Sequence, residues 1–495
     1  MRKLICLALL SLGLALAQTG TLEIAVDQAP VGLDPHIVTA FSSFAVIDQI
    51  YEGLLEINAD LQLEPALAES YTVSDDGLTY TFTLRDGVTF HNGRALTSDD
   101  VVFSFDRVMA EETGSPQASR FSQVAAVTAP DPDTVVFTLA EPFAPFLSNL
   151  PNLRIVPREV VEENGDLQQV AVGTGPFMLE EVVPDTFVLL EANPDYYRPG
   201  EPKVAALKYN IVPEASTRAA GLRTGTFKLL PTVDPATAQT LLGTPGVVLL
   251  ATQDLAYSLL GMNTTRPPFD NPLVREAINL AINRSEIVDA VYFGNGVPGG
   301  PLSPGLKDWA LPTDGYSCYQ HDPDGARALL AEAGVDGDLS LEILTFGTIK
   351  VVSDLAQVLQ AQLQDVGIDA SVNVEEFGTF VQRWRNSDFD VFVSLNGGNV
   401  DPDGYLFRTF HTGGSTNVFK YSNPEVDALL EEGRTTTDQA ARQDIYNQLQ
   451  EELACQGPIA HVAYGTLFTA VRDGVTGFQQ IPTRSLLFLR EVKLE

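Results

Sequence analysis

The sequence predicts an α/β protein of more than one domain. At 495 residues the chain is too long for one simple core. Its second half alternates helix-period with strand-period stretches, the pattern of an α/β domain. Between about Glu56 and Val172 the reading shifts to strands punctuated by turns, an α+β insertion into the first half.

The elements follow in order. Thr21–Val26 alternates as a strand, and a loop runs through Leu33-Asp34-Pro35. Phe44, Ile47, Ile50 and Tyr51 share one face of a helix over Ser42–Tyr51. Tyr80–Leu84 is a strand bounded by Asp86-Gly87 and His91-Asn92-Gly93. Thr97-Ser98-Asp99-Asp100 opens a helix, because Ser or Asp can cap and acids suit the positive helix end. Asp131-Pro132-Asp133 turns into the strand Thr134–Leu139, and Phe177–Glu191 reads as two strands. A helix over Thr217–Leu222 precedes another strand. Asn271 then caps a helix with Pro272 at its first position and Val274, Ile278, Ala281 and Ile282 on one face. Further helices are expected over Asp322–Ala333, Ser353–Val366, Pro424–Glu432 and Asp438–Cys455. Strands over Leu339–Phe346 and Phe389–Leu395 alternate with them.

Charge restricts the partners. With 30 Lys+Arg against 65 Asp+Glu the net charge is -35, which repels nucleic acid and anionic membrane surfaces. Arg2-Lys3, the apolar run Leu4–Leu16 and the small-x-small site Ala15-Leu16-Ala17 form a secretory leader, so the mature chain is expected to start at Gln18. Cys6 lies inside the apolar run, which argues against a lipid-anchored cysteine at the mature start. No later stretch is long and apolar enough for a membrane helix. Cys318 and Cys455 remain after cleavage; they either pair in an oxidising compartment or stay as buried thiols.

Enzyme signatures are weak. His36, His91, His321, His411 and His461 are widely spaced and no HExxH occurs, so they read as structural or surface residues. There is no GxSxG elbow and no P-loop. Gly294–Gly299 matches GxGxxG, but Pro298 inside it leaves no helix start for a phosphate, and it reads as a loop. Asp401-Pro402-Asp403-Gly404 lacks the rest of a calcium loop.

Several segments together carry a resemblance. They are Pro65–Phe105, Val172-Gly-Thr-Gly-Pro-Phe177, Asn193-Pro-Asp-Tyr-Tyr197 and Asn263-Thr-Thr-Arg-Pro-Pro-Phe269. Val274–Ile278, Ala281–Arg284, Asp322–Gly334 and Tyr421–Asp427 continue the series. In this order over nearly the whole mature chain, they resemble the family 5 extracytoplasmic solute-binding proteins of the dipeptide, oligopeptide and nickel type. Those are the ligand-catching components of ABC importers. The resemblance implies the two-lobe periplasmic-binding-protein fold of type II, with an extra α+β subdomain on lobe one and a hinge of chain crossings. After a leader over 1–17, lobe one is expected at 18–50, 175–262 and 468–495, the inserted subdomain at 51–174 and lobe two at 263–467.

Members that hold peptides clamp the ligand backbone and anchor its amino terminus on an Asp. By that resemblance the pocket maps to Thr39, Ala40 and Phe41, to Asn263 and Thr264, and to Leu395, Asn396, Gly397, Gly398 and Asn399, with Arg383 and Trp384 before the last segment. Trp384 reads equally as a packed core aromatic. The amine-anchoring position falls on Gly398 or Asn399, neither charged, so a free peptide amino terminus is not the expected recognised group unless Asp401 or Asp403 reaches in. The expectation is a monomeric, extracytoplasmic, non-enzymatic binding protein without a cofactor. It would enclose a peptide or similar small solute and meet the membrane only through ABC permease subunits. A binding protein for an oligosaccharide or metal complex is the alternative within the family, and a secreted hydrolase of peptides or glycans the alternative outside it. With only Trp309 and Trp384, the chain has few flat indole walls for sugars.

Overall fold

The computed structural model describes residues 20–335 and 339–495; the leader expected at 1–17 lies outside them. Among these residues eleven strands join in one hydrogen-bonded sheet. From one edge it runs Asp369–Glu375, Ser340–Phe346, Val391–Asn396, Val247–Met262 and Ile459–Arg472. It continues through Leu229–Val233, Thr21–Val26, Ala206–Ile211 and Phe187–Ala192 to Phe177–Val183. Parallel pairing at both ends, Thr21–Val26 on Ala206–Ile211 and Ser340–Phe346 on Asp369–Glu375, gives two α/β lobes.

The 16-residue Val247–Met262 and the 14-residue Ile459–Arg472 strands pass between the lobes as one antiparallel pair. Their lobe-one ends pair Val247 with Arg472, and their lobe-two ends pair Gly261 with Ile459. Between them the register breaks. Three residues, Asp254 to Ala256, stand opposite the single Gly465. Such a bulge bends and twists a ladder locally, and it marks where the two crossings can flex. Its carbonyls are satisfied from lobe two: Ser303 Oγ donates to Asp254 O at 3.0 Å and Tyr405 Oη to Leu255 O at 2.7 Å.

The cores follow the same division. Lobe two packs from Leu255 to Tyr464 around Ile278, Leu344, Leu359, Val391 and Leu449. Lobe one packs Leu22, Ile24, Ile47, Leu190, Leu207 and Leu489. A four-stranded antiparallel sheet of Ala68–Val73, Thr79–Leu84, Thr134–Leu139 and Val124–Asp131 has its own core of Phe82, Phe105, Phe137 and Phe146. That core ends at Ile155; Val156 to Ala171 bury in the lobe-one core instead. Residues Asp34, His36 and Arg107 bolt the subdomain to lobe one. The Arg107 guanidinium meets both Asp34 oxygens at 2.5 and 2.9 Å and donates to His36 Nδ1 at 3.0 Å. The His36 Nε2–H then donates to Arg154 O at 2.7 Å. Burial pushes the His36 imidazole down to about 4, so the ring is neutral at neutral pH.

Local signals mostly match the elements. Asn271 caps Pro272–Ala281 by accepting from Leu273 N, and Pro is the first helical residue. At Ser98–Met109 the cap is Thr97 rather than Ser or Asp; Asp100 reaches back to the Thr97 N–H to complete a capping box. Gly296–Pro298 is not a loop but a short strand on Ile459–Arg472, held there by the Gly296–Gly465 pairing.

Candidate functional site

The candidate site is a cleft of about 460 Å³ where the hinge, both lobes and the subdomain meet. Lobe one supplies Thr39, just before the helix Phe41–Ile50, Phe41, Phe44 and Asp48 along that helix, and the strap Ile481–Leu487. The subdomain supplies Ile57, Gln117, Arg120, Asn152 and Arg154. The bulge residues Asp254, Leu255 and Ala256 form the floor. Lobe two supplies the turn Gly397–Val400 and Arg408 of the helix Pro402–Phe410.

The turn is shaped by close approach. A Cβ built on Gly398 would lie 2.3 Å from Leu255 O and 2.4 Å from Tyr405 Oη, so only glycine fits against the hinge strand. Gly398→Ala is therefore expected to cost about 1–3 kcal/mol through overpacking. A urea midpoint within error of the parent would show that the turn gives way without strain.

Most cleft charges are already compensated. Asp48 takes Arg154 at 2.6 Å and Ser485 Oγ at 2.5 Å. Asp254 is paired with Arg484. Glu56 takes Arg490 at 2.8 Å and Arg198 at 2.8 Å. Behind it, burial pushes the Glu52 carboxyl up, against the pull of Arg198 and of Tyr196, which donates to it at 2.8 Å.

Of the residues singled out from sequence, Thr39, Phe41, Gly397, Gly398 and Asn399 line this cleft. Ala40 stands next to it as the N-terminal boundary residue of Phe41–Ile50. Leu395 and Asn396 end the strand leading into the turn; Asn396 Nδ2 donates to Tyr257 Oη at 2.7 Å and its Oδ1 accepts from Arg408. Four others are not brought there. Asn263 is buried, tying down the carbonyls of Ser387 and Phe389, and Thr264 Oγ1 donates to Phe419 O at 3.0 Å. Arg383 pairs with Glu342 and Glu375 of two adjacent strands, and Trp384 packs half-buried on the lobe-two core. They sit on the helix Phe377–Arg385, whose apolar face turns to that core. The packed-aromatic reading of Trp384 is the one the structure supports.

Asp401 does not reach into the cleft. Its carboxylate caps Pro402–Phe410 through Asp403 N and meets the Arg442 guanidinium at 2.7 and 2.8 Å. Asp403 is held by Arg434 at 2.9 Å; burial pushes its carboxyl up to about 6, with Arg434 opposing. Cys318 and Cys455 are bonded, S–S 2.09 Å, away from the cleft. Asp48, Glu56, Arg120, Asp254, Arg408 and the Ile481–Leu487 strap carry no motif. Only their convergence from distant segments reveals them.

Two lobes, a bulged double crossing and a lined cleft at the crossing define a solute-binding protein. The chain belongs to the family described as bacterial extracellular solute-binding proteins, family 5, whose middle-region pattern matches residues 62–417. It is 30% identical to the dipeptide-binding protein of Escherichia coli strain K12, covering 95% of each chain. It is also 30% identical to the glutathione-binding protein GsiB of that strain, covering 97% of each. Among solved structures, the periplasmic binding protein DppA of Helicobacter pylori in complex with the peptide STSA superposes with a TM-score of 0.84 at 29% identity. That match covers 97% of this chain and 98% of the other.

Proposed function

We propose that this chain captures a short peptide or peptide-like solute in the interlobe cleft and hands it, chemically unchanged, to the permease of an ABC importer. The observation that carries this reading is the cleft itself, lined at once by lobe one, the subdomain, the hinge bulge and lobe two. A guest touching all four rewards closure over opening, which is the differential affinity a two-state clamp requires. The volume of about 460 Å³ lies within the range of small-ligand pockets and suits a few residues of peptide. Relatives named for dipeptides and glutathione support the peptide class. Neither Trp309 nor Trp384 lines the cleft, so no indole wall favours a sugar. Thr39, the backbone of Gly397–Asn399 and the Phe41 ring are the proposed ligand contacts. The proposed compartment is extracytoplasmic, reached through cleavage after Ala17, and the proposed state is monomeric. Among the described residues no helix is long and apolar enough to cross a membrane.

The test is to incubate the mature chain with peptide and glycan pools and follow both by mass spectrometry. Stoichiometric capture of peptides without new products supports the reading; steady conversion of either pool contradicts it in favour of a hydrolase.

Phe41 offers a sharper check. Phe41 is 61% exposed, under the Arg484 guanidinium at 5.3 Å. An exposed aromatic has little to lose in the free protein and much to gain under a ligand. Phe41→Ala should weaken binding by about 1.5–3 kcal/mol while leaving the melting of the empty protein unchanged. Calorimetry showing full affinity would remove Phe41 from the contact surface.

A further inference from the structure

We propose that Arg434 of lobe two latches the clamp shut by stacking its guanidinium on Phe143 of the inserted subdomain. This deepens the clamp proposed above and rests on it.

The subdomain is fastened to lobe one, at one point by the Arg107–Asp34 pair and at another by the Arg490–Glu56 pair. Opening about the bulge therefore carries the subdomain away from lobe two, and a contact between those two belongs to the closed form. Such contacts lie outside the ligand cleft. Arg434 is in the helix Pro424–Thr435; its Cζ is 5.0 Å from the centre of the Phe143 ring and 3.5 Å from that of Phe407, a lobe-two residue. The main-chain N–H of Ala144 donates to Arg434 O at 2.8 Å. Leu61, in the turn of the hairpin Leu55–Pro65, packs on the lobe-two core. Arg434, Phe143 and Phe407 are absent from the cleft lining.

The arrangement suits a cation. Asp403 holds the Arg434 Nε at 2.9 Å and so fixes the guanidinium on lobe two. Phe407 supports it there and stacks in turn on His411, ring centres 4.3 Å apart. Phe143 is 2% exposed and anchored in the subdomain core. Its ring brings a negative π-face to a guanidinium that lobe two has oriented in advance, an attraction that grows as water leaves. Arg434 touches no ligand in this role. It is a positioning residue, and it shifts the balance of open and closed forms by the same factor for every guest.

Gly77→Cys combined with Thr437→Cys reports closure, because a Cβ built on Gly77 would lie 3.9 Å from Thr437 Cγ2, across the same boundary. Cys318 and Cys455 are already bonded to each other, so the new thiols of the mature chain meet no free native one. Gly77 has φ +70°, a strain that every variant compared carries equally. Under a fixed oxidant the rate of cross-linking follows the closed fraction, and a saturating peptide pool should raise it. Phe143→Leu removes the ring, and Arg434→Lys removes the planar face that stacks on it. Each should slow cross-linking by about threefold to tenfold, and weaken every peptide in the pool by a similar factor with the order of preference kept. Variants that lose only melting temperature, with parental cross-linking rates, make these residues structural and overturn the latch. Absence of the cross-link in the parent background, or a rate that bound peptide does not raise, overturns it too. If no peptide binds, the peptide reading fails, and the rates measured without ligand still decide the latch.

Discussion

Replacing both Cys318 and Cys455 by Ala should lower the unfolding free energy by ~5 kcal/mol, because their bond closes a loop with a sequence separation of 137. The bridge joins the turn Ser317–Tyr319 to the last turn of the helix Gln439–Gln456 and is packed by Tyr316 and Ala454. In the chain-entropy treatment such a crosslink acts on the unfolded ensemble, where it forbids the most extended states of lobe two. The loss should therefore appear in the urea midpoint, while ligand affinity at low temperature is preserved, since the cleft lies elsewhere. A double variant as stable as the oxidised parent would show that the loop is already constrained in the unfolded chain.

Arg490→Met should cost about 3–5 kcal/mol, the usual penalty for breaking a buried ion pair from one side. Arg490 is 2% exposed and meets Glu56 with two nitrogens at 2.8 and 3.1 Å, across a separation of 434 residues. Its Nε also lies 3.2 Å from Glu201. The substitution keeps an apolar stem of similar length but leaves Glu56 to Arg198 alone. The Glu56 carboxylate would then be buried with too little positive charge. Arg490→Met combined with Glu56→Gln should cost less than the sum of the single changes, because the second removes the charge that the first abandons. Additive losses, or a single variant within about 0.5 kcal/mol of the parent, would show that water already screens the group. The pair fixes the C-terminal segment to the start of the subdomain, so its loss should loosen the wall that carries Glu56 and Leu487 into the cleft.

Much of the fold is written locally. Thr21–Val26 and Thr134–Leu139 match their alternating runs to the residue, and helix starts at Pro272, Pro323 and Pro424 follow an Asn or Asp cap with Pro behind it. Those signals depend only on neighbours a few residues apart. The double crossing does not. Val247–Met262 has no clean alternation because its bulge at Asp254–Ala256 answers a residue more than two hundred positions away. The site divides in the same way. Thr39, Phe41 and Gly397–Asn399 were reachable through family resemblance, as segments next to a helix start and a strand end. Trp384 and Asn263 were attractive as chemistry, yet their partners, the lobe-two core and the carbonyls of Ser387 and Phe389, absorb them. Conversely Arg120 and Arg408 carry no local sequence signal, and only the fold brings them to the cleft.

The most direct test of the clamp is small-angle scattering of the mature chain with and without a saturating peptide pool. Closure of two lobes about the Asp254–Gly465 bulge predicts a smaller radius of gyration in the bound state, reversed when the peptide is dialysed away. Stoichiometric binding with no change in radius would mean that the guest is held without the lobes moving, and the clamp would have to be abandoned.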